Sequence, residues 1–248
     1  MLFLCMAGFL AAAVDSIAGG GGMISLPAVI AAGVPPHLAL GTNKFASTFA
    51  SFTSSIKFAY SDKINFKLMK YQIPCTIIGS AIGVKSVLSI DERYLQILIV
   101  SLIFTVAVYT SIKKDFGQEN RFVGFTNTKI ISGMGFALVL GFYDGFFGPG
   151  TGTFLIFAFI SVFGFDFTIA AGNAKLLNFV SNIVSVILFA ISGKILYLAG
   201  IPMAISMIFG AWVGTHIAIE NGPKVIKPIF ITIAILLIVK MLWQALIQ

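Results

Sequence analysis

Long apolar runs, cut by clusters of glycine, proline and charge, divide the chain into two sets of five segments. Leu2–Ala18 reads as a membrane helix that stops at Gly19-Gly20-Gly21-Gly22, because four glycines leave the backbone too free to hold a helix. Met23–Ala32 follows and ends at Gly33-Val34-Pro35-Pro36. A ten-residue piece rises about 15 Å, half of a roughly 30 Å hydrocarbon core, so it cannot cross. His37–Tyr60 is long and rich in Thr, Ser and Asn; Leu68–Leu88 and Tyr94–Ile112 complete the set, and the polar loop Lys113–Lys129 follows. The order then restarts. Ile130–Phe147 runs into Gly148-Pro149-Gly150-Thr151-Gly152, Thr153–Phe163 is short, Asp166–Ser192 is long and polar, and Ile195–Ile219 and Val225–Ile247 close the second set.

Residue identities follow the same plan. At a spacing of 131, Ala39, Gly41 and Lys44 match Ala170, Gly172 and Lys175, and Ser54, Phe58, Ser61, Lys63 and Ile64 match Ser185, Phe189, Ser192, Lys194 and Ile195. Gly79 and Gly83 match Gly210 and Gly214, small-residue spacings that suit close helix packing. Ahead of the short segments the spacing is 129, where Asp15 matches Asp144 and Gly19 matches Gly148. Charged residues and glycines sharing one register point to a duplicated half. The expected fold is an all-α integral membrane protein with a first membrane repeat over 1–114, a cytoplasmic linker loop over 115–128 and a second repeat over 129–248. Each repeat has a broken or re-entrant helix pair followed by three transmembrane helices.

Composition agrees. Apolar residues make up 58% of the 248 and charged ones 10%, against about 25% charged in soluble domains. That much charge cannot cover a soluble surface of this size, which disfavours a cytosolic enzyme, a disordered chain and a secreted disulfide scaffold. The net charge of +7 suits the positive-inside bias of membrane proteins better than nucleic-acid binding, since no basic run with interleaved aromatics is present. Cys5 and Cys75 lie in apolar segments without CxxC spacing, and the opening segment has no basic n-region, so it reads as a first helix rather than a cleaved signal. Lys63, Lys67, Lys70, Lys113, Lys114, Arg121 and Lys129 mark the cytoplasmic side. If each broken pair is a re-entrant hairpin, each repeat crosses three times and the two are inverted. This is the preferred arrangement, and parallel repeats with four crossings each stay open.

Three features could carry chemistry. The breaks Ile17–Pro27 and Phe146–Leu155 would present the free N–H groups and positive dipole end of two short helices to an anion, with Gly20, Gly21, Gly22, Gly150, Thr151 and Gly152 allowing close approach. Leu40–Ser47 and Ala171–Asn178 place Lys44 and Lys175 inside membrane segments, where an ionisable residue pairs, faces a cavity or snorkels. Thr42, Asn43, Asn173, Asn178 and Asn182 can donate hydrogen bonds to an oxyanion. Asp15 and Asp144, each four residues before its glycine break, could carry a coupling proton or equally serve as partners that neutralise Lys44 or Lys175. His37 and His216 are isolated, no Walker loop is present, and neither a metal nor any other cofactor is expected.

At these breaks the chain resembles the sulfite exporter TauE/SafE family. The resemblance is carried by Gly20-Gly21-Gly22 with Pro27, Gly33 to Pro36, Gly41-Thr42-Asn43, and the second copy around Gly148–Gly152 and Gly172–Lys175. It covers about Phe9 to Ile238, and the second copy departs from it at Pro149 and Thr151. It implies an anion permease of the bacterial cytoplasmic membrane, linked to sulfite, sulfonates and related sulfur compounds. The expected function is therefore a secondary transporter of a small anion, working by alternating access between repeats, with protons as a candidate coupling ion and lipid as its surroundings. A passive anion channel is the alternative. An intramembrane aspartyl protease using Asp15 and Asp144 is a remote one, since the GxGD sequence is absent.

Overall fold

A computed structural model describes residues 1–95, 97–99, 101, 102, 105 and 120–221. Among the described residues the chain forms α1 (Leu2–Ala18), α2 (Gly22–Ala31), α3 (Pro36–Tyr60), α4 (Phe66–Leu88), α5 (Asn127–Phe146), α6 (Thr151–Phe163), α7 (Phe167–Ile191) and α8 (Tyr197–Asn221), with no strand. The expected span Val225–Ile247, much of Tyr94–Ile112 and the start of the 115–128 loop lie outside the described residues.

Helix starts follow local chemistry. Asn65 accepts the Leu68 N–H (3.1 Å), Thr126 accepts the Lys129 N–H (3.3 Å), and Asp166 accepts the Thr168 and Ile169 N–H groups (2.9 and 3.0 Å). Each side chain satisfies donors that a first turn cannot satisfy internally. α5, α7 and α8 are long and apolar enough to cross a membrane, and α4 with its bent continuation Glu92–Ile99 counts as a fourth if the pair is one span. α3 is equally long but more polar, because its buried face carries Thr42, Asn43, Lys44, Ser51, Ser54 and Ser55. Its outward side chains include Phe49, Phe52 and Ile56. On α8 an exposed stripe of Leu198, Ile201, Ile205, Phe209 and Trp212 recurs every three or four residues. A stripe of that kind suits hydrocarbon, as in a multi-pass membrane protein.

The two breaks are tips of helical hairpins. Phe154 of α6 packs on Tyr143 (ring centroids 5.6 Å), and further from the tip Phe159 packs on Phe136 (5.1 Å), so α6 runs back along α5. In the first half the chain turns back equally sharply: a Cβ at Gly21 would lie 2.5 Å from the Asp15 Cβ and would overlap the Ala11 carbonyl oxygen. The first hairpin starts and ends where α3 starts and α7 finishes. The second starts and ends at the opposite end of the bundle, where the Arg121 N–H donates to the Gly164 carbonyl (2.7 Å). The tips meet in the middle. Gly19, at φ 75°, lies so close to the Gly152–Thr153 peptide that its Cβ would come within 2.6 Å of the Gly152 carbonyl carbon, and a Cβ at Gly22 would lie 3.0 Å from the Pro149 Cα.

α3 and α7 cross antiparallel beside these tips, and positions 131 apart make equivalent contacts. A Cβ at Gly41 would overlap the Lys194 carbonyl oxygen, and one at Gly172 the Lys63 carbonyl oxygen. The Thr42 hydroxyl accepts the Leu196 N–H, and the Asn173 amide oxygen accepts the Asn65 N–H, both at 2.9 Å. Each long polar helix thus anchors, at its start, the turn that follows the other. At the α3 end, buried His37 donates from Nε2 to the Val87 carbonyl (2.9 Å), with Nδ1 3.2 Å from Glu92 Oε1.

Candidate functional site

Where the hairpin tips meet the α3–α7 crossing lies a small, partly open cavity of about 30 Å³. It is lined by Asp15, Gly21, Gly22 and Ser25 from the first hairpin, Asp144, Gly148, Gly150 and Gly152 from the second, Asn43, Lys44 and Ser47 from α3, and Asn178 and Asn182 from α7. Both half-helices, α2 and α6, therefore begin at its wall.

The charges pair across the two halves. Lys44 Nζ lies 2.9 Å from Asp144 Oδ1, and both side chains are sealed, at 4% and 2% exposure. Lys175 Nζ donates to Asp15 Oδ2, where the lysine is 1% exposed and the aspartate 23%. An unpaired charge in such a place is costly, and pairing across the halves offsets part of that cost. Around the first pair lies a neutral amide network. Lys44 Nζ donates to Asn182 Oδ1 (3.0 Å), Asn182 Nδ2 donates to Ser51 Oγ (3.2 Å) and Asn178 Oδ1 (3.3 Å), and Asn178 Nδ2 donates to Asp144 Oδ2 (3.2 Å). Around the second pair, the Gly21 N–H donates to Asp15 Oδ1 (3.0 Å), so a carboxylate of the protein itself occupies part of the α2 N-terminus. The α6 start is shaped by Gly150 at φ 85°, and the Thr151 hydroxyl donates to the Gly148 carbonyl (2.7 Å).

Of the residues expected from sequence, Asp15, Gly21, Gly22, Asn43, Lys44, Asp144, Gly150, Gly152 and Asn178 come together on one cavity. Gly20 sits at φ 90° in the turn behind it, and Thr151 turns its hydroxyl to the hairpin backbone. Lys175 stands behind Asp15. Thr42 and Asn173 lie at the helix-anchoring turns instead of on the lining. Ser25, Ser47 and Met207 line the cavity without having been singled out. Ser47 was detectable, because it holds the place of Asn178 in the 131-residue register. Asn43 keeps a buried amide oxygen that no protein group satisfies among the described residues. Among the same residues no cluster of His, Cys, Asp or Glu could hold a metal ion.

Comparison with known proteins gives a consistent answer. A probable membrane transporter protein, ORF9, of a Sinorhizobium species is 34% identical over 98% of this chain and 92% of its own length. A probable membrane transporter protein of Haemophilus influenzae is 33% identical over 98% and 95%. The probable membrane transporter protein YfcA of Escherichia coli K12 is 33% identical over 95% and 87%. No solved structure matches the chain significantly. The model of the sulfite exporter TauE/SafE family matches residues 4–241, and the chain belongs to that family.

Proposed function

We propose that this protein is a secondary transporter of the bacterial cytoplasmic membrane that carries a small sulfur oxyanion, sulfite or an organosulfonate, by alternating access. One observation carries the reading: two half-helix N-termini, reaching in from opposite ends of the bundle, meet the ammonium of Lys44 on a single cavity. Helix N-termini and a lysine are what a bound oxyanion needs. Gly152, Asn43 and Asn178 complete a polar wall beside them, and Asp15 and Asp144 are the candidates for a coupling proton.

The alternating-access part rests on inverted repeats. Hairpins entering from opposite ends, the antiparallel α3–α7 pair and the contacts repeated at a spacing of 131 support that arrangement. Lys63, Lys67, Lys70, Arg121 and Lys129 gather at the end where α4 and α5 start, which makes that end cytoplasmic. Lys85, Arg93 and Lys194 at the other end are offset by Asp91 and Glu92. Rocking of one repeat against the other would open the cavity to each side in turn.

The test is uptake of radiolabelled sulfite into proteoliposomes holding the purified chain, with and without an imposed pH gradient. Saturable uptake above empty liposomes is expected. Uptake equal to that of empty liposomes would remove sulfite as substrate, and uptake that never saturates would identify a channel.

A further inference from the structure

We infer that the site moves its anion as a monoanion together with one proton, with no net charge crossing, and that Asp144 is the residue that takes the proton. This rests on the anion reading above and names its coupling. The buried centre holds two cations, Lys44 and Lys175, and two anions, Asp15 and Asp144, already joined in pairs. A substrate anion therefore adds an uncompensated charge unless a proton arrives with it.

The geometry selects which carboxylate must respond. Lys44 lines the cavity and Lys175 does not, so the anion competes for Lys44. Two of the three Lys44 N–H donors face Asp144 and Asn182. Binding draws the ammonium from Asp144 towards the anion. Asp144, 2% exposed, then keeps only the Asn178 amide, and a carboxylate sealed from water without its cation is neutralised by a proton. Asp15 loses nothing, since Lys175 and the Gly21 N–H stay with it.

The neighbours of Asp144 offer no substitute. α1 contributes Asp15 and α7 contributes Lys175, already paired with each other. On α5 itself the Tyr143 hydroxyl is committed to the Pro149 carbonyl (2.8 Å). α2 and α6 carry no titratable side chain, α4 has Lys67, Lys70 and Lys85 near its ends, and His216 and Glu220 of α8 pair at its far end. The step balances: one proton joins the Asp144 carboxylate as one anion joins Lys44, both leave on the other side, and the Lys44–Asp144 pair reforms.

The test compares wild type, Asp144→Asn and Asp15→Asn in proteoliposomes with radiolabelled sulfite, read as counterflow at equal pH and as accumulation under an acid-outside gradient. Sulfite's own titration is common to all three, so differences report the protein's proton. Wild type is expected to do both. Asp144→Asn should retain counterflow above empty liposomes while gradient-driven accumulation falls to the empty-liposome level, and Asp15→Asn, however much its flux is lowered, should keep the wild-type ratio of accumulation to counterflow. Accumulation by Asp144→Asn at the wild-type level, or its loss in Asp15→Asn alone, would overturn the assignment. Absence of wild-type counterflow would instead take down the sulfite reading, and this inference with it. Should Asp144→Asn fail to fold, wild-type flux under potassium-valinomycin potentials decides. Flux indifferent to potential supports a neutral pair, and flux driven by potential overturns it.

Discussion

Lys44 and Lys175 hold equivalent positions in α3 and α7, and each pairs with the aspartate of the other hairpin, yet their surroundings differ. Lys44 meets the long amides of α7, Asn178 and Asn182, directly or through Asp144. At the corresponding places α3 has Ser47 and Ser51, whose hydroxyls are too short to bridge to Lys175. The Lys44 pair therefore sits in a sealed, amide-lined pocket wall, and the Lys175 pair leans on backbone and a partly exposed carboxylate. Shared charges keep both pairs, while the Lys44 pair lines the cavity with both its members and the Lys175 pair reaches it only through Asp15.

The strongest way to break this comparison is to remove each lysine in turn. Lys44→Ala should cut sulfite flux at least about a hundredfold and, by stranding buried Asp144, cost about 3–5 kcal/mol of stability. Lys175→Ala should keep measurable flux, near a tenth of wild type, because Asp15 retains the Gly21 N–H and some solvent. Flux and thermal unfolding of the two purified variants check this, and the reverse ranking would invert the roles assigned to the pairs.

The meeting of the hairpin tips is the next target. Gly19→Ala combines a φ of 75° with overlap onto the Thr153 amide, and about 2–4 kcal/mol of destabilisation is expected from strain and displaced backbone. Gly33→Ala has a φ of 83° but open space around it, so roughly 1 kcal/mol is expected. Equal melting temperatures for the two would mean the tips do not pack as described.

Smaller effects should sharpen the contrast. Asn182→Ala removes a hydrogen bond to a charge, worth about 1.5–3 kcal/mol, and should lower flux roughly tenfold or more. Ser51→Ala, one bond further from Lys44, should change flux by less than about threefold. Thr42→Val and Asn173→Ala should each cost about 1–3 kcal/mol by leaving a turn N–H unsatisfied, with the KM for sulfite unchanged. A raised KM in either would return that residue to the anion site.

Much of this architecture was legible from local pattern. The Leu2–Ala18 helix, the two breaks and the short helices after them stand where glycine clusters and run lengths place them. Two helices, α4 and α5, start ahead of their apolar runs behind a polar cap, whereas α7 starts at Phe167, one residue after the predicted Asp166. α5 begins at Asn127 rather than Ile130 because Thr126 holds its first turn, which hydropathy does not register. Thr42 and Asn173 are polar residues beside a lysine, and sequence offered no way to see that both turn towards a distant loop.

The sequence by itself determined the membrane class, the 131-residue register, the positions of the breaks and the number of buried charges, since these depend on composition and on spacing along one helix. Only the tertiary structure decided that Lys44 meets Asp144, 100 residues away, and Lys175 meets Asp15, 160 away. It also decided that Lys44 lines the cavity and Lys175 does not. Pairing across halves depends on how hairpins and helices pack, and a buried charge takes whichever partner that packing brings within hydrogen-bond reach.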